Sequence, residues 1–246
     1  MIGRSLVSPE LRRVVRGLAQ PVARGFGAIG LSPNQLTLIG FVISAAGGVA
    51  AGLEAWLVAG ILVIAGGVFD LFDGALARAT GRSSSFGALM DASFDRWGEA
   101  VVYGGIATGF AAAGIVGGTA LVSLAAGSSF LVSYVRARAE GLGFSPGTGM
   151  AAVGIAPREV RLVIVTVGLF LVAPLGGVSR AADGSLSGGA TALVAAMALL
   201  LTLTTVTVIQ RIAYTRAQAR RMEETAEARP TGARPTGAEE RRPETP

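Results

Sequence analysis

The sequence predicts an all-α integral membrane protein, with six transmembrane helices around a polar cavity open to the cytoplasm and an amphipathic interfacial helix ahead of them. Three observations carry that expectation. The chain is 51% hydrophobic with a mean hydropathy of +0.59, too apolar for an ordinary soluble domain. Its apolar runs are broken by glycine-rich turns and flanked by arginines. Four aspartates, Asp70, Asp73, Asp91 and Asp95, fall within a stretch of 26 residues. Carboxylates are costly in lipid and gather where helices enclose a shared polar space.

Residues 1–30 carry Arg4, Arg12, Arg13, Arg16 and Arg24 among Leu, Val and Phe. They lack the continuous apolar run and small-residue cleavage site of a signal peptide, so the segment reads as an uncleaved basic helix lying at the membrane surface. A domain of six spans is expected over residues 31–221. Ser32-Pro33-Asn34 offers helix-start chemistry ahead of an apolar run too long for one span, and Gly52-Leu53-Glu54-Ala55 breaks it into helices at 33–53 and 55–79. Gly81-Arg82-Ser83-Ser84-Ser85 then turns the chain into a third helix over 84–113. At about 1.5 Å per residue this helix exceeds the hydrocarbon thickness, so its polar first turns, with Asp91, Asp95, Arg96 and Glu99, are expected to line a cavity. Glu99, one turn beyond Asp95, reads as a structural ion-pair partner, the other reading being a supporting contact to Arg96 or to bound metals.

The fourth span ends in Ser133-Tyr134-Val135-Arg136-Ala137-Arg138-Ala139-Glu140, and a glycine-rich loop leads to Pro157, which starts the fifth. Arg158 and Arg161 stand in its first turns, where cations oppose the helix dipole; their placement reflects either topology or an anionic ligand. The sixth span covers 190–209 and leads to Arg211 and Arg216. Residues 222–246, rich in Pro and alternating charge, are expected to be a disordered polar tail. With both termini inside, nearly all loop arginines fall on the cytoplasmic side and only Arg180 outside. This places a multi-pass protein in the cell membrane with its aspartates facing the cytoplasm.

On a helix, Asp70 and Asp73 share one face, as do Asp91 and Asp95. Four converging like charges at a membrane edge repel unless cations sit between them, and an all-oxygen ligand set favours Mg²⁺, Mn²⁺ or Ca²⁺. Gly74 and Ala77 are small residues one turn apart that let a ligand approach the backbone, and Arg78 can neutralise phosphate oxygens. The chain has no cysteine and no histidine, and all 21 basic residues are arginine. Thiolate chemistry, disulfides and histidine nucleophiles are thereby excluded, leaving acid–base work to carboxylates. The net charge of +5 is spread around apolar spans with no basic stripe interleaved with aromatics, which argues against nucleic acid as a partner.

The spacing Asp-x2-Asp-Gly-x2-Ala-Arg-x8-Gly-x3-Asp-x3-Asp, filled by Asp70, Asp73, Gly74, Ala77, Arg78, Gly87, Asp91 and Asp95, resembles the signature of the CDP-alcohol phosphotransferase family. The resemblance covers about residues 30–220 and implies an enzyme using two Mg²⁺ or Mn²⁺ ions. It implies that Asp70, Asp73 and Asp91 are metal ligands, and that Asp95 is the catalytic base and also touches a metal. It further implies that Gly74, Ala77 and Arg78, helped by Arg82, hold the nucleotide. Pro33-Asn34-Gln35-Leu36-Thr37 resembles a segment at the first span of that family, which adds Asn34 to the nucleotide residues; a simple helix cap is the other reading of Asn34.

Arg82 to Asp91 and Ser133 to Glu140 resemble the bacterial phosphatidylinositol phosphate synthases within that family. This implies CDP-diacylglycerol as donor and inositol phosphate as acceptor, with Arg136, Arg158 and Arg211 binding the acceptor phosphate. Arginine at cytoplasmic helix ends also follows from topology alone. Other readings are a glycerol phosphate acceptor giving phosphatidylglycerol phosphate, an archaeal-type dialkyl lipid donor or a second CDP-linked alcohol, an inactive scaffold and, from another class, a cation transporter. Membership would also imply a homodimer, and Gly48-x3-Gly52 and Gly105-x3-Gly109 offer small-residue faces for close helix packing.

Overall fold

The computed structural model describes residues 9–144 and 153–227. They form seven helices: α1 (Pro9–Ala28), α2 (Pro33–Gly52), α3 (Trp56–Thr80), α4 (Ser85–Ala112), α5 (Val116–Gly141), α6 (Arg158–Val172) and α7 (Gly188–Glu227). Among the described residues there is no strand; Arg180 and Leu186 form an isolated bridge in the loop over residues 173–187.

The helix starts follow from local chemistry. Ser32 caps α2 by accepting from the Gln35 backbone N–H, while the Gln35 side chain accepts from the Ser32 N–H at 2.8 Å, a reciprocal pair that satisfies two orphan donors. Helix α3 stops at Gly81, whose φ of +64° is the left-handed region that favours glycine. Ser84 then opens α4 by accepting from the Gly87 N–H at 3.0 Å.

Four helices, α2, α3, α5 and α7, are long and apolar enough to cross a membrane. The two further expected spans differ in kind. Helix α4 has the length but carries Asp91, Asp95, Arg96 and Glu99 along it before its apolar run begins. Helix α6 has 15 residues, about 22 Å at 1.5 Å per residue, against a hydrocarbon core of about 30 Å.

The principal contacts join α2 to α3, α3 to α6, α6 to α7, α7 to α5, α5 to α4 and α4 back to α2, a closed ring of six helices. A continuous apolar core built around Trp56, Tyr103, Phe110, Leu169, Leu193 and Met197 fills one end of the ring. The carboxylates stand where that core gives way to a cavity, whose wall Asp70, Asp73 and Asp95 share with Val63, Val102, Tyr103 and Val165. The contact between α2 and α4 is made backbone to backbone: a Cβ on Gly48 would lie 2.5 Å from the Val101 carbonyl oxygen, and one on Gly105 would collide with the Gly48 carbonyl. The small-residue faces read from the sequence are therefore used inside the chain.

Helix α1 packs on α3 rather than lying apart from the bundle. Ala19 and Ala23, one turn apart, are buried with Leu36, Ala75 and Leu76, and the Phe26 ring lies 5.8 Å from Phe69 and 5.6 Å from Phe72. At the other end, α7 stays helical through Glu227, past the boundary at 222 where the polar tail was expected. The rest of that tail, residues 228–246, and residues 145–152 of the glycine-rich loop lie outside the described residues.

Candidate active site

Helices α3 and α4 bring Asp70, Asp91 and Asp95 together, with one carboxylate oxygen from each lying within 4.8 Å of the others. The helical spacing explains the convergence: Asp91 and Asp95 are one turn apart on α4 and face Asp70 on α3, the two helices standing on either side of α2 in the ring. Among the described residues, Asp91 Oδ1 is buried without a hydrogen-bond partner. A buried carboxylate oxygen lacking a donor, beside two further carboxylates, suits a hard divalent cation such as Mg²⁺ or Mn²⁺, which takes oxygen ligands.

Asp73 is turned differently. It is 6% exposed and accepts a hydrogen bond from the Thr37 hydroxyl of α2 at 2.5 Å, so it lines the same cavity from the α2 side without joining the close triad. Sequence reading assigned no role to Thr37; the signal available was a hydroxyl one turn into a helix whose start was already fixed.

Two cavities meet at these carboxylates. A narrow one of about 50 Å³ lies between α2, α3, α4 and α6, with Asp70, Asp73 and Asp95 on its wall. A wider cleft of about 970 Å³ lies between α4, α5 and α6 and reaches Arg211 of α7; Asp91, Asp95, Arg136, Arg158 and Arg211 all line it. Asp95, Arg158 and Arg161 belong to both cavities. The narrow space has room for water-sized groups and ions, whereas the wider one is of the size that takes a small organic ligand.

The three arginines expected to share a ligand thus border one cleft, each with a different anchor. Arg136 pairs with Glu140 at 3.0 Å. Arg211 is buried and donates from Nε to the Val153 carbonyl at 3.0 Å and from Nη1 to the Val132 carbonyl. Arg158 reaches into the triad, with Nη1 on Asp70 and Nη2 at 2.7 Å from Asp95. Behind it Glu99 takes Arg96 at 3.1 Å, as expected, and also Arg161 at 2.9 Å. Arg161, whose placement points to topology or an anionic ligand, lies three residues beyond Arg158 on the same face of α6 and is engaged by this carboxylate.

Of the expected nucleotide residues, Arg78 folds back along α3 so that a Cβ on Gly74 would lie 3.2 Å from its Nη1. Asn34 meets the first turn of α4, where a Cβ on Gly87 would lie 3.2 Å from Asn34 Oδ1. Gly74 and Gly87 therefore keep the surface open beside two polar side chains. Ala77 is half-buried on the aspartate face of α3. Arg82 is not brought to this cavity; with Arg24 it lines a separate cleft against Leu76 and Ala79, which point away from Asp70 around α3.

Residues 31–212 match the family model for CDP-alcohol phosphatidyltransferase. The chain is 37% identical over 175 residues to the archaetidylinositol phosphate synthase of Pyrococcus horikoshii, covering 68% of this chain and 88% of that relative. It is 38% identical over 156 residues to the phosphatidylinositol phosphate synthase of Mycobacterium marinum, covering 61% and 63% of the two. Its backbone is similar to a crystal structure of the Mycobacterium tuberculosis phosphatidylinositol phosphate synthase with CDP-DAG bound, with a TM-score of 0.65 and 28% identity over 80% of this chain and 92% of that one. A second structure of that enzyme, in complex with manganese and citrate, also gives a TM-score of 0.65, at 27% identity over 80% of this chain and 88% of that one.

Proposed function

The chain belongs to the CDP-alcohol phosphatidyltransferase family, and from that premise we propose that it transfers the phosphatidyl group of CDP-diacylglycerol to a hydroxyl of inositol phosphate, giving phosphatidylinositol phosphate and CMP. The family match sets aside the ion-transport alternative: the protein is a transferase of lipid metabolism that uses Mg²⁺ or Mn²⁺. The observation that carries the reading is the carboxylate triad standing where a narrow cavity opens into an arginine-bordered cleft.

Asp70, Asp91 and Asp95, with Asp73 completing the set from the α2 side, would hold two ions. When bound, these supply charge neutralisation at the phosphate under attack and at the departing CMP. Thr37 fixes the Asp73 carboxylate by its hydrogen bond. Gly74, Ala77, Arg78 and Asn34 accept the nucleotide at the mouth between α2, α3 and α4; Arg82, on another face, is left to a peripheral part.

Asp95 borders both cavities and is placed to take the proton of the acceptor hydroxyl as its oxygen attacks the lipid-bearing phosphorus. The new bond is oxygen to phosphorus, the bond broken is phosphorus to the CMP oxygen, and the electron pair leaves with CMP. Arg136, Arg158 and Arg211 border the side from which a phosphorylated acceptor would enter and complement its charge.

The relatives named above agree on an inositol phosphate product and differ in the lipid. That agreement favours inositol phosphate over glycerol 3-phosphate and leaves a dialkyl donor as the second reading. We place α2 to α7 as six spans, with both termini and the site on the cytoplasmic side of the cell membrane, residues 31–221 as the catalytic domain and residues 1–30 as a juxtamembrane segment. A homodimer remains part of this reading, through faces other than the one Gly48 and Gly105 occupy.

The test is CMP release by the purified chain with Mg²⁺ or Mn²⁺. Inositol phosphate, glycerol 3-phosphate, free inositol and no acceptor are compared on diacyl and dialkyl donors. Release with inositol phosphate alone supports the acceptor; release only with glycerol 3-phosphate replaces it.

A further inference from the structure

Arg158 is the first residue of α6, yet its guanidinium lies across the two helices that carry the carboxylates. Nη1 contacts Asp70 Oδ2 on α3, Nη2 lies 2.7 Å from Asp95 Oδ1 on α4, and Nε stands 3.9 Å from Glu99. The same side chain lines the wider cleft beside Arg136 and Arg211. We propose that Arg158 couples the two halves of the site: a divalent cation at Asp70, Asp91 and Asp95 and a phosphate-bearing acceptor in the wider cleft each bind more tightly when the other is present, because both draw Arg158 off the carboxylates. The inference rests on the function proposed above and adds an energetic linkage to it.

The linkage is a competition for charge. A guanidinium and a divalent cation satisfy the same carboxylate oxygens, and each repels the other at contact distance. When a cation takes those oxygens, Arg158 loses its anchors. It can turn toward the cleft it already borders, where Arg136 and Arg211 add like charge and a phosphate relieves the repulsion. Conversely, a phosphate that attracts Arg158 leaves the triad with uncompensated negative charge, which strengthens its hold on a cation. Linkage makes the two effects equal in size.

The neighbouring arginines are not placed to do the same. Arg161 has a side chain only 3% exposed and is held by Glu99, whereas Arg158 keeps 27% exposure and room to turn. Arg96 is engaged with Glu99 at 3.1 Å and lies 3.7 Å from Asp95. Arg211 is tied to two backbone carbonyls.

The experiment titrates Mn²⁺ into the purified full chain without donor lipid, reading free Mn²⁺ by its paramagnetic resonance signal. It is run with and without inositol phosphate, with a protein-free blank correcting for complexation. The wild type is expected to bind Mn²⁺ about fivefold more tightly or better when inositol phosphate is present. Arg158→Gln should bind Mn²⁺ more tightly than wild type without acceptor and lose most of the acceptor effect, and Arg158→Lys should restore part of it. A structural role alone would weaken Mn²⁺ binding in Arg158→Gln without touching the coupling.

Unchanged or weaker Mn²⁺ affinity in a folded Arg158→Gln chain overturns the proposal, as does a wild-type affinity indifferent to inositol phosphate. If Arg158→Gln does not fold, the wild-type coupling and its reduction in Arg158→Lys decide the matter. Failure of the proposed acceptor would appear separately, as absent CMP release with inositol phosphate, while the effect of Arg158→Gln on Mn²⁺ affinity is read with no acceptor present.

Discussion

Asp95 and Asp73 illustrate how two carboxylates of one motif come to different surroundings. Asp95 faces both cavities, so Asp95→Asn should lower CMP release by about 10²- to 10⁴-fold, the range for a lost proton acceptor, in a chain whose circular dichroism is unchanged. A folded variant that turns over at the wild-type rate would remove Asp95 from that role. Asp73 is buried on Thr37 at 2.5 Å. Thr37→Val leaves its carboxylate without that donor and should cost about 1–3 kcal/mol, read as a lower denaturation midpoint in detergent. Spacing made the facing of Asp70, Asp91 and Asp95 legible, because one-turn repeats on consecutive helices can converge. The rotation that gives Asp73 to Thr37 depends on how α2 is turned against α3, which no repeat within either helix encodes. The same holds for Arg211: its basic character at a helix end was plain, but its two carbonyl partners come from Val132 within α5 and Val153 in the loop before α6.

Among the helices, boundaries were readable where capping chemistry sets them. Ser32, Gly81 and Ser84 mark the start of α2, the end of α3 and the start of α4 within a residue or two of expectation. Two elements at the ends of the chain depart from expectation. Helix α7 runs on past residue 222 because its arginines and glutamates after Arg211 are good helix formers. Helix α1 was expected as a surface element only, since its arginines dominate the pattern, while the alanines that seat it on α3 carry little hydrophobic signal. Ala23 is fully buried there, so Ala23→Leu should overpack the contact and cost about 1–3 kcal/mol. Faster proteolytic release of the segment before residue 31 would report the loosened helix, and an unchanged cleavage rate would argue that α1 is held by other contacts.

At the scale of the whole molecule, the closed ring leaves a pair of cavities whose walls come from every helix but α1. Ligands at the carboxylates tie α3 to α4, so Mn²⁺ should raise the denaturation midpoint of the wild type, with about 2.7 kcal/mol of stabilisation expected at a hundredfold excess over its dissociation constant. A chelator should reverse the rise, and Asp91→Asn should blunt it; equal shifts in both chains would place the ion elsewhere. The number of helices and the position of the carboxylates could be read from the sequence, but the ring order could not, because it depends on which apolar face meets which. The contact of Gly48 with Gly105 has a mechanical consequence. It pins the two backbones together, and Asp95 sits ten residues away along α4, about 15 Å at 1.5 Å per residue. A side chain wedged at the pivot that splayed the two rods by about 5° would carry Asp95 about 1.3 Å, a displacement large enough to cost about 100-fold in rate.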